Sequence, residues 1–276
     1  MRRALLTLAL AAAAAAAVQS APKRRFGIEI GDLAWTDREV LRAEPPDKTK
    51  WRPVAAGNKL RTGDTLRTGE DAVARVELPW MVVSLGPSTM FTVPQTSGVL
   101  STVLEQGRAE FAGAGRNIVK IQVGDGEVRG GGRLVLRRSV GQTSATVLAG
   151  AFRVRVAGRT VEVKAGEGTV VMDGQPPTPA APLPEAPAGL RPGDDPVYVR
   201  LGRPVELRWK GTGPSFHVEL LGLQGESVLL ARETGASPLR VEIPRPGTFR
   251  WRVSARDARG LESRPSAEGY VCLVER

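Results

Sequence analysis

The stretch LRTGDTLRTGE at residues 60–70 decides the fold class, because it repeats a short pattern with a period of six residues. Each copy places a leucine, Leu60 or Leu66, before an Arg-Thr-Gly turn. Asp64 and Thr68 are turn residues whose side chains hydrogen-bond to nearby backbone, so we expect them to close short strands. The repeat predicts consecutive strand–turn units, and a solenoid-like winding is one arrangement that it fits.

Alternating apolar residues continue the strand pattern after the repeat. Period-two alternation is typical of strands with one buried face. It occurs at Ala72, Ala74, Val76 and Leu78, and again at Val119, Ile121 and Val123. Gly (32) and Pro (21) recur between these Val-rich runs, as expected for many turns. The sequence therefore predicts an all-β protein.

One hairpin is specified in register. We expect Val156 to pair with Val161, which places Arg155 opposite Glu162. Gly158 at the first turn position favours a type II′ turn, because that position needs a positive φ.

Composition changes between residues 174 and 196, where proline recurs within QPPTPAAPLPEAP at residues 175–187. Such a segment has few backbone donors and is expected to stay out of any sheet. It predicts a polyproline-II-like linker between two β-domains that behave as separate units, residues 21–173 and 197–276.

Residues 197–276 contain about seven strand candidates with turns at the spacing of a β-sandwich. Trp209 and Trp251 lie in two of them and are expected in the core between two sheets. Cys272 is the single cysteine and lies in a terminal strand pattern, so a buried structural thiol is expected. An intermolecular disulfide or a reactive thiol is the alternative.

The N-terminus has the organisation of a secretory signal peptide over residues 1–20. Arg2 and Arg3 precede an uncharged apolar run from Ala4 to Val18, which is short for a transmembrane helix. Cleavage is expected near Ser20, which predicts a periplasmic or secreted protein with no integral membrane span after cleavage.

The net charge of +10 does not indicate nucleic-acid binding, because the basic residues are scattered and not interleaved with a stacking surface. Arg153 and Arg155 alternate with valine, as on a solvated strand face. A basic surface of this kind is weakly attracted to anionic polymers of the cell envelope.

Catalytic and metal-binding patterns are weak throughout. His217 is the single histidine, and a surface or edge position in a strand is expected for it. Asp194 and Asp195 lack a following oxygen-ligand loop for calcium. The glycines of residues 124–132 lack the context of a phosphate-binding loop and are expected to form a flexible turn. We therefore assign no catalytic, cofactor-binding or metal-binding residue and expect no cofactor.

Two resemblances add to these inferences. The stretch WRPVAAGNKLRTGDTLRTG at residues 51–69 resembles the opening signature of the FecR domain, and VEVKAGEGTVV at residues 161–171 resembles its closing unit. Leu78-Pro79-Trp80-Met81 departs from the family's Asp-Gly-Ser turn, and Gly130-Gly131-Gly132-Arg133 departs from its Gly-Thr. The stretch FRWRVSARDARGLES at residues 249–263 is similar to fibronectin type III modules, although Phe249 replaces their corner tyrosine.

The FecR resemblance implies a periplasmic region of a signalling or envelope protein. We expect an exported, non-enzymatic binding or signalling-accessory module that acts through protein–protein interaction. The alternative is a structural protein that binds cell-wall glycan. The expected partner is thus an envelope protein or a cell-wall glycan.

Overall fold

The computed structural model describes residues 27–95, 101–113, 118–224 and 227–275. Strands dominate these residues and no helix occurs among them, which confirms the all-β prediction. The expected signal peptide at residues 1–20 lies outside the described residues. Two bodies of strands are present, named here the N-terminal domain (strands β1–β15) and the C-terminal domain (strands β16–β23).

The N-terminal domain is one large bent sheet of fifteen strands. Its strands are β1 (Glu29–Asp37), β2 (Val40–Ala43), β3 (Arg52–Val54), β4 (Lys59–Arg61), β5 (Thr65–Thr68), β6 (Val73–Leu78), β7 (Met81–Leu85), β8 (Met90–Gln95), β9 (Ser101–Gly113), β10 (Val119–Val123), β11 (Gly126–Ser139), β12 (Gln142–Val156), β13 (Arg159–Lys164), β14 (Glu167–Met172) and β15 (Ala181–Pro182).

The sheet encloses one apolar core, with Leu60, Leu66, Phe91, Phe111 and Phe152 almost fully buried. Most described strand pairs are antiparallel, and β9 with β10 is parallel. A solenoid winds in one direction through parallel neighbours, so this antiparallel pairing does not form the solenoid-like arrangement that the repeat also fitted.

The six-residue repeat forms the turns that were expected from it. Asp64 is fully buried, and its Oδ2 accepts a hydrogen bond from the Arg61 amide at 2.9 Å. The Thr68 hydroxyl donates to the Gly86 carbonyl at 2.7 Å and accepts from the Thr89 amide at 2.8 Å. Both side chains therefore bind backbone groups, as predicted from their turn chemistry.

The hairpin of β12 and β13 has a different register from the expected one. Val156 pairs with Arg159, and Arg153 lies opposite Glu162. Ala157 (φ 48°) and Gly158 (φ 75°) form the two-residue turn, which makes it type I′ and not type II′. A register shift of two residues keeps the same side chains on the buried face, so alternation alone could not distinguish the two pairings.

The glycine-rich stretch at residues 124–132 was expected to be a flexible turn and is mostly strand. Gly124 and Asp125 make the turn between β10 and β11, and the remainder belongs to β11. The glycines from Gly130 to Gly132 pair with β12 at the point where the two backbones approach closely. A Cβ atom at Gly132 would lie 2.1 Å from the Ala149 carbonyl oxygen, so glycine is required there.

The proline-rich segment at residues 174–196 also differs from the expectation, because it joins both domains' sheets. Ala181–Pro182 pairs with β14, and the Thr178 amide donates to the Val170 carbonyl at 2.9 Å. The Leu183 amide donates to the Gly166 carbonyl at 3.1 Å. Proline removes only its own N–H and is tolerated on edge strands, so the residues between the prolines supply the necessary donors.

The C-terminal domain has two sheets that share one core. Its strands are β16 (Ala188–Arg191), β17 (Val197–Arg200), β18 (Val205–Lys210), β19 (Ser215–Gly222), β20 (Val228–Thr234), β21 (Leu239–Val241), β22 (Gly247–Arg256) and β23 (Gly269–Val274). The sheet orders are β16-β18-β21 and β17-β23-β22-β19-β20.

Trp209 and Trp251 lie in the core between these sheets, as predicted, with ring centroids 6.4 Å apart. Trp251 is fully buried, and its indole N–H donates to the Pro192 carbonyl at 2.9 Å. The end of the proline-rich segment is thus held against the C-terminal core.

Candidate functional site at the domain junction

A cluster of charged side chains, most of them buried, lies where the two domains meet. We name it the junction cluster; its members are Arg108 and Arg137 of the N-terminal domain and His217, Glu219, Glu233, Arg252 and Glu262 of the C-terminal domain. Charged groups are rarely buried unless they are paired. The cluster is therefore the feature of the molecule that most needs a physical account.

Arg108 is the centre of the junction cluster. Its Nη2 lies 2.7 Å from Glu262 Oε1, its Nε donates to Glu262 Oε2 at 3.0 Å, and its Nη1 lies 3.3 Å from Glu219 Oε1. These contacts are a two-point arginine–carboxylate pair with a second acid added, the strongest geometry for such an interaction. One side chain of β9 thus holds two carboxylates of the other domain.

The turn between β7 and β8 fixes the backbone of β9 around Arg108. Gly107 precedes it with a φ of 91°, and a Cβ atom there would lie 2.4 Å from the Thr89 hydroxyl oxygen. The Arg108 amide donates to that hydroxyl at 3.1 Å, and its carbonyl accepts from the Gly86 amide at 2.9 Å. The backbone around the guanidinium is therefore held on both sides.

His217 and Glu219 lie on the face of β19 that points away from the C-terminal core. His217 Nδ1 is 2.7 Å from Glu233 Oε1, and Nε2 is 3.1 Å from Glu219 Oε1. Arg252, directly across from Glu219 on β22, donates through Nε to Glu219 Oε2 at 2.7 Å. His217 is only 3% exposed, so the expectation of a surface or edge histidine is wrong: the N-terminal domain covers this face.

The electrostatics of the cluster favour its charged forms. Burial and the Arg108 charge lower the pKa of His217, but hydrogen bonds to Glu219 and Glu233 outweigh them and raise it overall. Burial raises the pKa of Glu219, and the opposing charge of Arg252 with the His217 hydrogen bond takes it well below its usual value. Burial likewise opposes ionisation of Glu262, whose pKa the Arg108 charge lowers. The opposite charges in the cluster therefore stabilise one another's ionised forms.

Further contacts join the domains around the cluster. The Trp35 indole N–H donates to the Val228 carbonyl at 3.1 Å, and Arg232 pairs with Asp71. The Gln142 side-chain amide donates to the Arg259 carbonyl at 2.6 Å. Strand β20 lies against β6 and β1. The domains, expected to be joined only by a linker, therefore share an interface that contains both ionic and neutral contacts.

Two spaces of very different size adjoin the junction cluster. The cavity beside it, lined by Trp35, Arg108 and Glu219 among others, has a volume of about 10 Å³. A cavity needs roughly 10–15 Å³ to hold a single water molecule. A larger, open groove of about 660 Å³ is lined by Arg108, Arg137 and Glu233, so part of the cluster is reachable from outside. His217 lines neither space, and its contacts hold the domains together.

Cys272, Asp194 and Asp195 lie apart from the junction cluster. Cys272 is partly buried on β23, separated from β19 by β22, and the Thr248 hydroxyl lies 3.6 Å from its sulfur. Asp194 and Asp195 are exposed in a bend between β16 and β17. Among the described residues, no three His, Cys, Asp or Glu side chains are arranged to hold a metal ion.

Sequence reasoning missed the junction cluster. His217, Glu219 and Arg252 alternate with core residues, which is also the pattern of a strand face in contact with water. The one available signal was the placement of Glu219 opposite Arg252 on neighbouring strands. That signal indicates a polar face and carries no information about what covers it.

Comparisons with known proteins give limited similarity. No protein-family model matches the chain, and no curated protein matches it. Two crystal structures of a "putative anti-sigma factor" from Parabacteroides distasonis are similar to part of it, at 18% and 17% sequence identity and a TM-score of 0.38 each. The match covers 43% of this chain and 59% of each of those chains. Similarity of this extent assigns neither a family nor an activity.

Within the described ranges, no helix has the length and apolar character needed to cross a bilayer.

Proposed function

We propose that this chain is an exported, non-catalytic binding protein of a bacterial cell envelope, acting as a protein-interaction or signalling-accessory module. The observation that carries the proposal is the position of His217. Both of its ring nitrogens contact carboxylates inside the junction, and its side chain is almost fully buried. A general acid or base must reach its substrate, so this histidine serves the interface between domains.

The junction gives the two domains a fixed relation, which suits a binding protein. Surfaces on both domains are then presented together without the entropy loss of ordering a flexible linker on binding. Two contact points held at one separation also raise the avidity for a partner that matches it.

A different structural feature supports the inferred type of each domain. The buried Asp64 and the Thr68 hydrogen bonds support a FecR-like N-terminal domain, because both residues belong to the stretch that resembles the FecR signature and both bind backbone groups that shape its turns. The pair of sheets around Trp209 and Trp251 supports a fibronectin type III-like C-terminal domain.

A protein partner is supported by strand β17, which lies at the edge of its sheet. Val197, Tyr198, Leu201 and Val274 around it are all partly or largely exposed, with Tyr198 at 70%. Edge strands with apolar side chains can pair with an extended segment of another protein. The alternative partner, a cell-wall glycan, is favoured by basic side chains on the outer face of β10–β13.

Complementation of a deletion strain tests the non-catalytic proposal. His217→Gln keeps a polar side chain in the cluster, and we expect it to complement whenever the variant folds, as judged by its circular dichroism spectrum. Arg208→Gln, at an exposed ion pair with Glu206, is the control. A photo-crosslinking residue at position 198 should capture an envelope protein. A folded His217→Gln variant that still crosslinks its partner but fails to complement would indicate a catalytic histidine instead.

A further inference from the structure

The outer face of strands β10–β13 carries a group of basic side chains, named here the cationic face: Lys120, Arg129, Arg153, Arg155 and Lys164. These positions alternate with core residues, so the five side chains lie on one side of the sheet. In strand register, Lys120 is opposite Arg129 and Arg129 is opposite Arg153. Neighbouring strands are ~4.8 Å apart, so three cations form a continuous row.

This row is unfavourable for the fold by itself, because like charges directly opposite on neighbouring strands destabilise a sheet. Glu127 offsets Lys120, with Nζ and Oε2 at 2.8 Å. Within the described residues, the other four cations have no carboxylate within ion-pair distance, including Glu162, which lies opposite Arg153.

Several other basic residues of the same domain are paired. Arg61 binds Glu29 at 2.6 Å, and Arg138 binds Asp173 at 2.9 Å. The cationic face therefore has charge available for an external anion, at the expense of some repulsion within the sheet.

A groove of about 490 Å³ runs across this face. Arg129, Arg153, Ile118 and Glu162 line it, together with the small residues Gly130, Gly131 and Ala151 and the buried Phe152. Gly131 and Ala151 face each other beside the Arg129–Arg153 pair and leave the groove shallow and open, so an extended chain can lie along it.

We propose that the cationic face binds an anionic glycan polymer, that is, a chain of sugars or polyols that carries repeated phosphate or carboxylate groups. The inference rests on the proposed binding function and specifies one partner class for the N-terminal domain. Guanidinium groups bind phosphate and carboxylate through paired hydrogen bonds. Arg153 and Arg155 are two residues apart on one strand, ~6.6 Å, so successive anionic groups on one polymer can be contacted together.

Side-chain types on the face distinguish this ligand from other polyanions. No aromatic side chain occurs on the outer face of the described strands β10–β13, whereas single-stranded nucleic acid is bound by stacking on aromatic rings. Protein interfaces depend on aromatic and apolar anchors, and among the residues that line this groove Ile118 is the single exposed large apolar one, since Phe152 is buried in the core. A hydrated, charged polymer is the ligand that the face matches.

Binding of purified full-length protein to defined polymers tests the inference. Teichoic acid supplies the phosphate probe and polygalacturonate the carboxylate probe, with neutral dextran as the baseline. Arg129→Gln with Arg153→Gln should weaken binding to the preferred probe at least tenfold. Arg52→Gln with Arg203→Gln, two exposed arginines on other surfaces, removes equal charge and should change affinity less than twofold. Glu162→Gln should tighten binding, which a merely structural role of the face would not produce.

Several results would overturn the inference. If both double variants weakened polymer binding equally, the net charge of the protein would account for the binding and the cationic face would not be a specific site. Affinity for single-stranded DNA or poly-glutamate equal to that for the anionic glycans would contradict the ligand class, as would failure to bind either glycan probe. A negative result here leaves crosslinking at position 198 unaffected, so it is distinguishable from failure of the proposed binding function.

Discussion

Replacing Arg108 with methionine should destabilise the whole molecule, because it leaves two carboxylates buried without their partner. The Arg108 side chain is 6% exposed, and it contacts Glu262 at 2.7 Å and Glu219 at 3.3 Å. Removing one partner of a buried ion pair typically costs about 3–5 kcal/mol. For a chain of this size, 1 kcal/mol corresponds to a shift in Tm of about 2–4 °C, so Tm should fall by about 6–20 °C.

Calorimetry and urea unfolding of the purified protein measure this effect. Arg208→Met is the matched control, since Arg208 is 63% exposed in its pair with Glu206 and should contribute less than about 1 kcal/mol. The double variant Arg108→Met/Glu262→Gln should be more stable than the sum of the two single effects predicts, because it removes the uncompensated charge. Equal stability of Arg108→Met and Arg208→Met would refute the reasoning.

Three further predictions follow from the same structure. The stability of the junction should be greatest between about pH 4.5 and 6.5. The pKa values of Glu219, Glu233 and Glu262 are lowered in the folded protein, so the stability they contribute is lost as pH falls below 4.5. The pKa of His217 is raised, so the stability it contributes is complete below pH 6.5 and is lost as pH rises. A Tm series across pH measures this, and His217→Gln should flatten the alkaline side; an unchanged alkaline side would contradict it. Trp251→Ala should cost about 3–5 kcal/mol, because the ring is fully buried, and a change under about 1 kcal/mol in urea unfolding would place it outside the core. N-terminal sequencing of the exported protein should begin just after Ser20, and an intact N-terminus in the envelope fraction would indicate an anchored protein.

Local patterns predicted the parts of the fold that depend on local chemistry. Period-two alternation identified strands, and turn residues such as Asp64 and Thr68 form the backbone hydrogen bonds expected of them. The core positions of Trp209 and Trp251 follow from the same pattern, because the apolar face of an alternating strand packs against the core. These inferences needed no knowledge of long-range packing.

Long-range relations could not be predicted in the same way. Two registers of the β12–β13 hairpin bury the same valines, so only the turn at Ala157 and Gly158 decides between them. The proline-rich segment joins two sheets through a few amides between prolines. Arg108 and Glu262 are 154 residues apart, and each alone has the pattern of a solvated side chain. The junction exists only once both domains have folded.

The central claim is that the junction cluster holds the two domains as one unit. Pulsed electron–electron double resonance tests it directly, with spin labels at Val140→Cys and Tyr198→Cys in a Cys272→Ser background. Both labelled positions are exposed and lie on different domains, Val140 at the turn between β11 and β12. We predict a single narrow distance distribution that broadens in Arg108→Met but not in Arg208→Met. A broad distribution in the otherwise unmodified protein would show that the domains move independently and would contradict the claim.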